Sequence, residues 1–386
     1  MILDRHLEKT LQNHFNDYKQ AIVLLGARQT GKTTLLKRIF PNAIYLLVDN
    51  EATKKVLETY DINSYIQIIG ESKLIVIDEL HLLSDPGRTV KIIYDQIPGI
   101  KIIVTGSSAL HIKNKSSESM AGRKIEYQLY PLTFSEYLVQ KGIEQDLNFN
   151  ILENIISDRP SKANLFSKED ILSDILLYGL YPERMRFKNP RNYLLELADS
   201  AIFKDIVELN LIENRSKAKE LLKLLSYQIG NLISYSEIAS KLSLDRRTVE
   251  RYIDIFEQSY VVFRVYPYSK NKRDELGKMP KIYFHDLGLR NALIDDFNFS
   301  NLRLDFGAIF ENFIMSELRK SISYQQSDFK INFWRSRSGA EMDIILSNSV
   351  ELYGVEVKWQ ERRISAVFLD RYPHAQVKVI SKKNFY

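Results

Sequence analysis

The sequence contains no cysteine, and only 2 tryptophans in 386 residues. Without thiols, disulfide staples, cysteine nucleophiles and cysteine-ligated zinc are all excluded. Long apolar runs are missing as well. Stretches such as Ala21–Leu25 and Leu74–Ile77 fall far short of the ~18 residues a membrane span needs, so no membrane partner is expected. The first residues, Met1-Ile2-Leu3-Asp4-Arg5-His6, lack the basic-then-apolar plan of a signal peptide, and the expectation is a cytoplasmic protein. Neither sign of charge dominates: 54 Lys+Arg against 49 Asp+Glu leave a formal +5, which permits nucleic-acid binding without demanding it. The composition that remains, 45% hydrophobic and 27% charged, is globular. At roughly 150 residues per domain, the length asks for two or three domains.

Four continuously apolar stretches, Ala21–Leu25, Ala43–Val48, Leu74–Ile77 and Ile102–Val104, alternate with helical segments. Continuous apolarity is what strands covered on both faces require, so an α/β core built on a parallel sheet is expected over residues 1–133. Residues 134–231 turn helical, with apolar side chains at three- and four-residue spacing in Ser167–Leu177, Asn192–Leu211 and Ser216–Ile229. Over 232–300 the pattern is a short helix (Ser236–Leu242), a turn (Ser243-Leu244-Asp245) and a second helix (Arg246–Gln258). Two aromatic-rich strands follow, Val261–Tyr266 and Lys281–Phe284, joined by a loop with Lys270, Lys272, Arg273 and Lys278. That order is a winged-helix pattern. Arg246, Arg247 and Arg251 place positive charge where a recognition helix would enter a DNA major groove, so DNA is the expected partner. The remainder, 301–386, reads as one long helix followed by strands.

Gly26-Ala27-Arg28-Gln29-Thr30-Gly31-Lys32-Thr33 fits G-x-x-x-x-G-K-[ST], between a strand and the helix that opens with Thr34. The two glycines let consecutive backbone N–H groups turn toward phosphate oxygens, with the helix dipole adding positive potential. Lys32 is placed for the β- and γ-phosphates of ATP, and the Thr33 hydroxyl for Mg²⁺. Leu74–Ile77 is followed by Asp78-Glu79, two acids at a buried strand tip that are costly there unless a cation or water uses them. In that pairing Asp78 holds the Mg²⁺ shell and Glu79 polarises the attacking water. Ser107 or Ser108, after the strand Ile102–Thr105, is a candidate to orient that water. Arg123 is a candidate γ-phosphate sensor, or an arginine finger acting in trans, in which case the protein assembles as a homo-oligomer. Asp49 reads equally well as a structural acid.

These segments, with Ile77-Asp78-Glu79-Leu80-His81, Thr105-Gly106-Ser107-Ser108, Ala121-Gly122-Arg123 and the run Tyr127–Leu138, resemble one AAA+-type ATPase family of prokaryotes. So do Phe203–Val207, Tyr266–Asn271 and Pro280–Gly288, which extends the resemblance over almost the whole chain. The resemblance implies a P-loop ATPase core whose C-terminal half is a domain of unknown function. His81 stands where members often carry Gln.

Glu341-Met342-Asp343 and, further on, Glu356-Val357-Lys358 look like the D…E-x-K centre of the restriction-endonuclease-like fold. Strand period two puts Glu356 and Lys358 on one face and sends Val355 and Val357 into the core. Asp343, on a neighbouring strand, then meets Glu356 around Mg²⁺ or Mn²⁺, and Glu311 on the preceding helix is the usual extra acid. Lys358 would orient a water that the metal activates. The bland alternative is a surface pair worth under ~1 kcal/mol. The fold expected is therefore α/β, with a P-loop AAA+-like core, a helical and winged-helix middle and a restriction-endonuclease-like α/β C-terminal domain. The function expected is ATP binding and hydrolysis acting on DNA, with metal-dependent cleavage by the C-terminal domain. The alternative is an ATP-dependent signalling switch or DNA-binding scaffold with an inactive nuclease-like domain.

Overall fold

A computed structural model describes residues 4–106, 120–144, 147, 150–157, 169–201, 212–269, 279–298, 303–336, 338–359 and 367–386. The chain divides into two compact units, Met1–Leu132 with Gln258–Tyr260, and Thr133–Glu257 with Val261–Tyr386.

The first unit is a sheet of five strands, β1 (Ala21–Leu25), β2 (Ile44–Leu47), β3 (Leu74–Asp78), β4 (Lys101–Gly106) and β5 (Lys124–Gln128), in the order β2-β3-β4-β1-β5. Every neighbouring pair is parallel. Helices α1 (Leu7–Asp17), α2 (Lys32–Ile39), α3 (Glu51–Leu57), α4 (Ile62–Ile69) and α5 (Pro86–Gln96) accompany it. The caps fit these starts: the Asn50 and Asp61 side chains accept N–H bonds at the openings of α3 and α4, and Asp85 does so for α5, with Pro86 at its first turn. β1 is buried throughout, as its unbroken apolarity requires. β2 departs from that expectation, because Ile44 and Leu47 are exposed. It is an edge strand with one neighbour, so apolarity in the sequence did not translate into burial there. Because all five strands run the same way, the ends of β1, β3 and β4 share one edge: Leu25 pairs with Gly106, and Leu47 with Asp78. Loops that converge at the carboxyl edge of a parallel sheet make the usual ligand crevice.

The second unit opens at Thr133 with a capping box. The Thr133 hydroxyl accepts the Glu136 N–H at 3.1 Å, and the Glu136 carboxylate accepts the Thr133 N–H at 2.9 Å. Its helices are α6 (Phe134–Gln140), α7 (Ile151–Ser157), α8 (Glu169–Tyr178), α9 (Arg191–Glu196), α10 (Arg215–Tyr227), α11 (Tyr235–Leu242), α12 (Arg246–Gln258), α13 (Leu287–Ile294), α14 (Phe306–Tyr324) and α15 (Val367–Arg371). The helix expected over Asn192–Leu211 is α9 followed by a π-helical turn, Leu197–Ala201; residues 202–211 lie outside the described ones.

Ser243 takes a left-handed conformation that ends α11 and turns the chain into α12. On α12, Val249, Tyr252, Ile253 and Phe256 are buried at three- and four-residue spacing. An antiparallel pair follows, β6 (Val262–Val265) with β7 (Lys281–Phe284), and Leu232 bridges to Lys281. The last sheet holds β8 (Lys330–Arg335), β9 (Glu341–Ser347), β10 (Leu352–Lys358) and β11 (Gln376–Ser381) in the order β11-β10-β9-β8. β9 is antiparallel to β8 and β10, while β11 is parallel to β10. α14 packs on β10 and β7. Its Phe313 meets Phe134 and Phe385 edge-on, with ring centroids 5.9 and 5.7 Å apart. Such pairs add about 0.5–1.5 kcal/mol each beyond area burial, and they hold the helix that carries Glu311.

Candidate functional site

The loop after β1 has its shape imposed by two glycines. A Cβ on Gly26 would lie 2.1 Å from the Leu129 carbonyl oxygen, so no other residue lets the chain leaving β1 pass the chain leaving β5. Gly31 has φ +93° as the N-cap of α2, a conformation L side chains rarely adopt. Thr30 is wholly buried, and its hydroxyl donates to the Ala27 carbonyl at 2.9 Å, closing the loop from inside. The Lys32 ammonium, nearly buried, donates to the Gly26 and Ala27 carbonyls at 2.8 and 3.0 Å. Both acceptors are neutral, so these contacts orient the ammonium without cancelling its charge.

Beneath the loop lies Arg5, which the sequence did not single out. Its guanidinium donates to the Thr30 carbonyl at 2.8 Å and the Tyr130 carbonyl at 2.6 Å, and the residue is only 4% exposed. It ties the loop's underside to the segment after β5. No local signal marks it, because its partners lie 25 and 125 positions away.

At the end of β3, Asp78 is buried and both its oxygens are engaged. One accepts the Thr33 hydroxyl at 2.8 Å, and the other accepts the Thr105 hydroxyl. Thr105 Oγ1 also accepts the Glu79 N–H at 3.0 Å, so this threonine on β4 spaces the two acids; it was missed in favour of the serines that follow it. Glu79 adopts φ +57°, which breaks the strand, and its carboxylate stands 3.2 Å from His81 Nδ1. Burial and the nearby Asp78 charge push the Tyr45 hydroxyl up to about 12, so it stays neutral.

A cavity of about 340 Å³ opens between these groups, with Arg28, Gln29, Gly31, Lys32, Thr33 and Thr34 on one side and Asp49, Glu79 and His81 on the other. ATP and Mg²⁺ fit this donor set. The loop and Lys32 supply positive potential, and the Thr33 hydroxyl lies beside the Asp78 carboxylate as a pair of hard oxygens suited to Mg²⁺.

Other expected residues fall elsewhere. Arg123 does not reach this cavity. Its carbonyl accepts the N–H of Ala21, the first residue of β1, which places Arg123 at the strand-entry edge, opposite the phosphate loop. Its guanidinium is paired there with Asp95 at 2.9 and 3.1 Å. A sensor role within the same chain is thereby overturned, since the whole length of a strand intervenes. Ser107 and Ser108, Phe203–Val207 and the wing residues Lys270, Lys272, Arg273 and Lys278 lie outside the described residues.

In the second unit, Asp343, Glu356 and Lys358 do come together. Val355 pairs with Ile344, which brings Asp343 opposite Glu356 one step further along the two strands. Lys358 Nζ is 3.1 Å from Glu356 and 3.5 Å from Asp343, and Asp343 also accepts the Val357 N–H at 2.8 Å. Glu311 is engaged differently. It accepts the Tyr283 hydroxyl at 2.5 Å and faces Lys281 at 3.4 Å, while Lys281 sits 2.5 Å from Glu341. Burial raises the Glu311 pKa, and the Lys281 ammonium opposes that rise. Among the described residues no three His, Cys, Asp or Glu side chains are grouped so as to hold a metal ion. The expected metal set Glu311, Asp343 and Glu356 is thus not gathered into one group among the described residues: Lys358 contacts Glu356 and Asp343, while Glu311 meets Tyr283 and Lys281. Lys281, Tyr283 and Glu341 were not anticipated as partners, because the contacts depend on the β6–β7 hairpin meeting the last sheet.

No helix among the described residues is long and apolar enough to cross a membrane. Residues 18–138 match a family model described as an AAA domain, and residues 169–300 and 306–382 match two domains of unknown function, DUF8612 and DUF4143. An uncharacterized protein of Methanocaldococcus jannaschii is 28% identical, over 92% of this chain and 78% of its own. An uncharacterized protein of Mycobacterium tuberculosis is 24% identical, over 87% of this chain and 70% of its own. Among solved structures, a Walker-type ATPase of Pyrococcus abyssi is similar with a TM-score of 0.45 and 16% identity, over 76% of this chain and 96% of that one, a likeness too loose to argue from. The matched domain, the parallel sheet and the phosphate loop agree, and the chain carries an ATP-binding, AAA-type P-loop domain.

Proposed function

We propose that this chain hydrolyses ATP with Mg²⁺ and couples that cycle to DNA. The observation that carries the reading is the Thr33–Asp78 pair, 2.8 Å apart, with Glu79 on the wall of the same cavity. The loop's N–H groups and Lys32 would take the phosphates, and Thr33 and Asp78 would hold Mg²⁺. When bound, the metal supplies charge neutralisation between the phosphate oxygens. Glu79 would polarise the attacking water and accept its proton, His81 would fix the direction of that carboxylate, and Thr105 would keep the two acids in register.

The DNA part rests on reading α11, the Ser243 turn, α12 and the β6–β7 pair as a winged helix. It is supported by Arg246, Arg247 and Arg251, all exposed on α12, with Arg247 and Arg251 opposite its buried residues and Arg251 paired with Glu213 at 3.0 Å. The C-terminal carboxylates give no support to metal-dependent cleavage, so the second unit is read as a nuclease-like domain that docks rather than cuts. A homo-oligomer remains part of the proposal only through Arg123 acting from a neighbouring copy. Mixing Lys32→Ala with Arg123→Ala subunits tests that point, and a mixture that stays inactive removes it.

The deciding experiment measures Mg²⁺-dependent phosphate release from ATP with and without duplex and single-stranded DNA. Turnover that EDTA abolishes and DNA stimulates is expected. Wild-type protein that binds ATP without turning it over would sink the hydrolysis reading. Turnover indifferent to every DNA offered would leave the signalling switch as the better account.

A further inference from the structure

The C-terminal carboxylate set has a cation already built into it. Lys281 enters from β7, a strand outside the four-stranded sheet, and is only 4% exposed. Its ammonium stands 2.5 Å from Glu341 and 3.4 Å from Glu311, over the Phe333 ring at 5.3 Å from the centroid. Period two along β7 places Tyr283 on the same face, and its hydroxyl donates to the same Glu311 oxygen that faces Lys281. The pairing of Val265 with Lys281 and the bridge from Leu232 hold the lysine in this register. Beyond it, Lys358 takes Glu356 and Asp343.

We propose that Lys281 substitutes for the divalent metal of a nuclease-like centre, so that the second unit is metal-free by construction. A divalent ion needs carboxylate oxygens at about 2.0–2.6 Å from one common point. Here Lys281 draws Glu311 and Glu341 together, Lys358 draws Asp343 and Glu356 together, and a further cation between the two pairs would be repelled by both ammoniums. A buried ammonium is costly without close counter-charges, so the lysine and its acids are mutually required. The inference concerns this carboxylate set alone and stands or falls independently of ATP hydrolysis at the P-loop.

The test uses full-length, nucleotide-free protein in a Thr33→Ala background, which removes the hydroxyl beside Asp78. Mn²⁺ binding is followed by electron paramagnetic resonance and by the melting temperature. The Lys281-containing protein is expected to bind no Mn²⁺ at this set, and its melting temperature should not respond to the ion. Lys281→Met is expected to melt lower, to take up one Mn²⁺ per chain, and to recover stability when it does. Adding Asp343→Asn should abolish that uptake. Should Lys281→Met not fold, Lys281→Gln, which keeps a donor toward Glu341, takes its place. Four carboxylates outnumber two ammoniums here, so the Lys281-containing arm decides even alone. Mn²⁺ held by that protein and released on Asp343→Asn or Glu311→Gln overturns the proposal, as does a folded Lys281 variant that binds none.

Discussion

Lysines at two places in this molecule sit beside carboxylate-bearing strands and do opposite things. Lys32 is held by the carbonyls of Gly26 and Ala27 and faces a cavity of about 340 Å³. Lys281 is held by Glu311 and Glu341, and Lys358 by Glu356 and Asp343. A neutral cradle leaves a cation's charge available to a ligand, whereas an acidic one consumes it in holding the fold together. The same difference separates the acids. Asp78 is steadied by the hydroxyls of Thr33 and Thr105, which leave its charge intact for a metal, while the C-terminal acids face ammonium groups. Residue type is shared between the two sites; the partners around each acid and each ammonium differ.

The largest test of that contrast is Glu79→Gln. It should cut ATP turnover by about 10²–10⁴-fold, the usual weight of a general base, while nucleotide binding survives. Parallel phosphate-release and nucleotide-titration measurements check this, and unchanged turnover would remove Glu79 from the chemistry. Next comes Lys32→Met, expected to lower kcat/KM by about 10²–10³-fold while shifting stability by less than about 0.5 kcal/mol, because Lys32 lines an open cavity where water can take over its hydrogen bonds to the Gly26 and Ala27 carbonyls.

Lys358→Met should behave in reverse. Stability should drop by about 1–3 kcal/mol as buried Glu356 loses the Lys358 ammonium, with ATP turnover unchanged; denaturant melts alongside the ATPase assay read both. The figure lies below the cost of breaking a fully buried pair because the Lys358 side chain is 25% exposed. Should both lysine variants lose stability alike, the contrast between the two cradles fails. Arg5→Ala belongs between the two cases. It orphans the Thr30 and Tyr130 carbonyls, costing about 1–3 kcal/mol, and should raise KM for ATP more than it lowers kcat. The smallest effect is reserved for Arg246→Glu with Arg247→Glu: weaker DNA binding, and a salt dependence flatter by roughly one unit for each phosphate that is no longer neutralised.

Much of the first site was legible because its residues are neighbours in the chain. The phosphate loop is eight consecutive residues between a buried strand and a helix, and Asp78-Glu79 ends another buried strand. Arg5 and Thr105 escaped notice because nothing periodic or contiguous links them to Thr30, Tyr130 or Asp78. Arg123 misled for a related reason. Closeness to the motifs in sequence says nothing about which end of a parallel sheet a residue occupies, and the pairing of β5 beside β1 puts it at the far edge. In the second unit, strand period correctly set Glu356 and Lys358 on one side of β10, with Val355 and Val357 buried. It could not show that a hairpin from another part of the unit would deliver Lys281 and Tyr283 to Glu311.

By itself the sequence determined the absence of thiol chemistry, the parallel α/β core and the phosphate loop, since each depends on composition or on residues within one turn or strand. Only the tertiary structure decided which partners each buried carboxylate meets. Whether a buried acid meets a cation from solution or an ammonium from its own chain depends on which distant side chain packing brings within a few ångströms, where pairing outweighs the cost of leaving water.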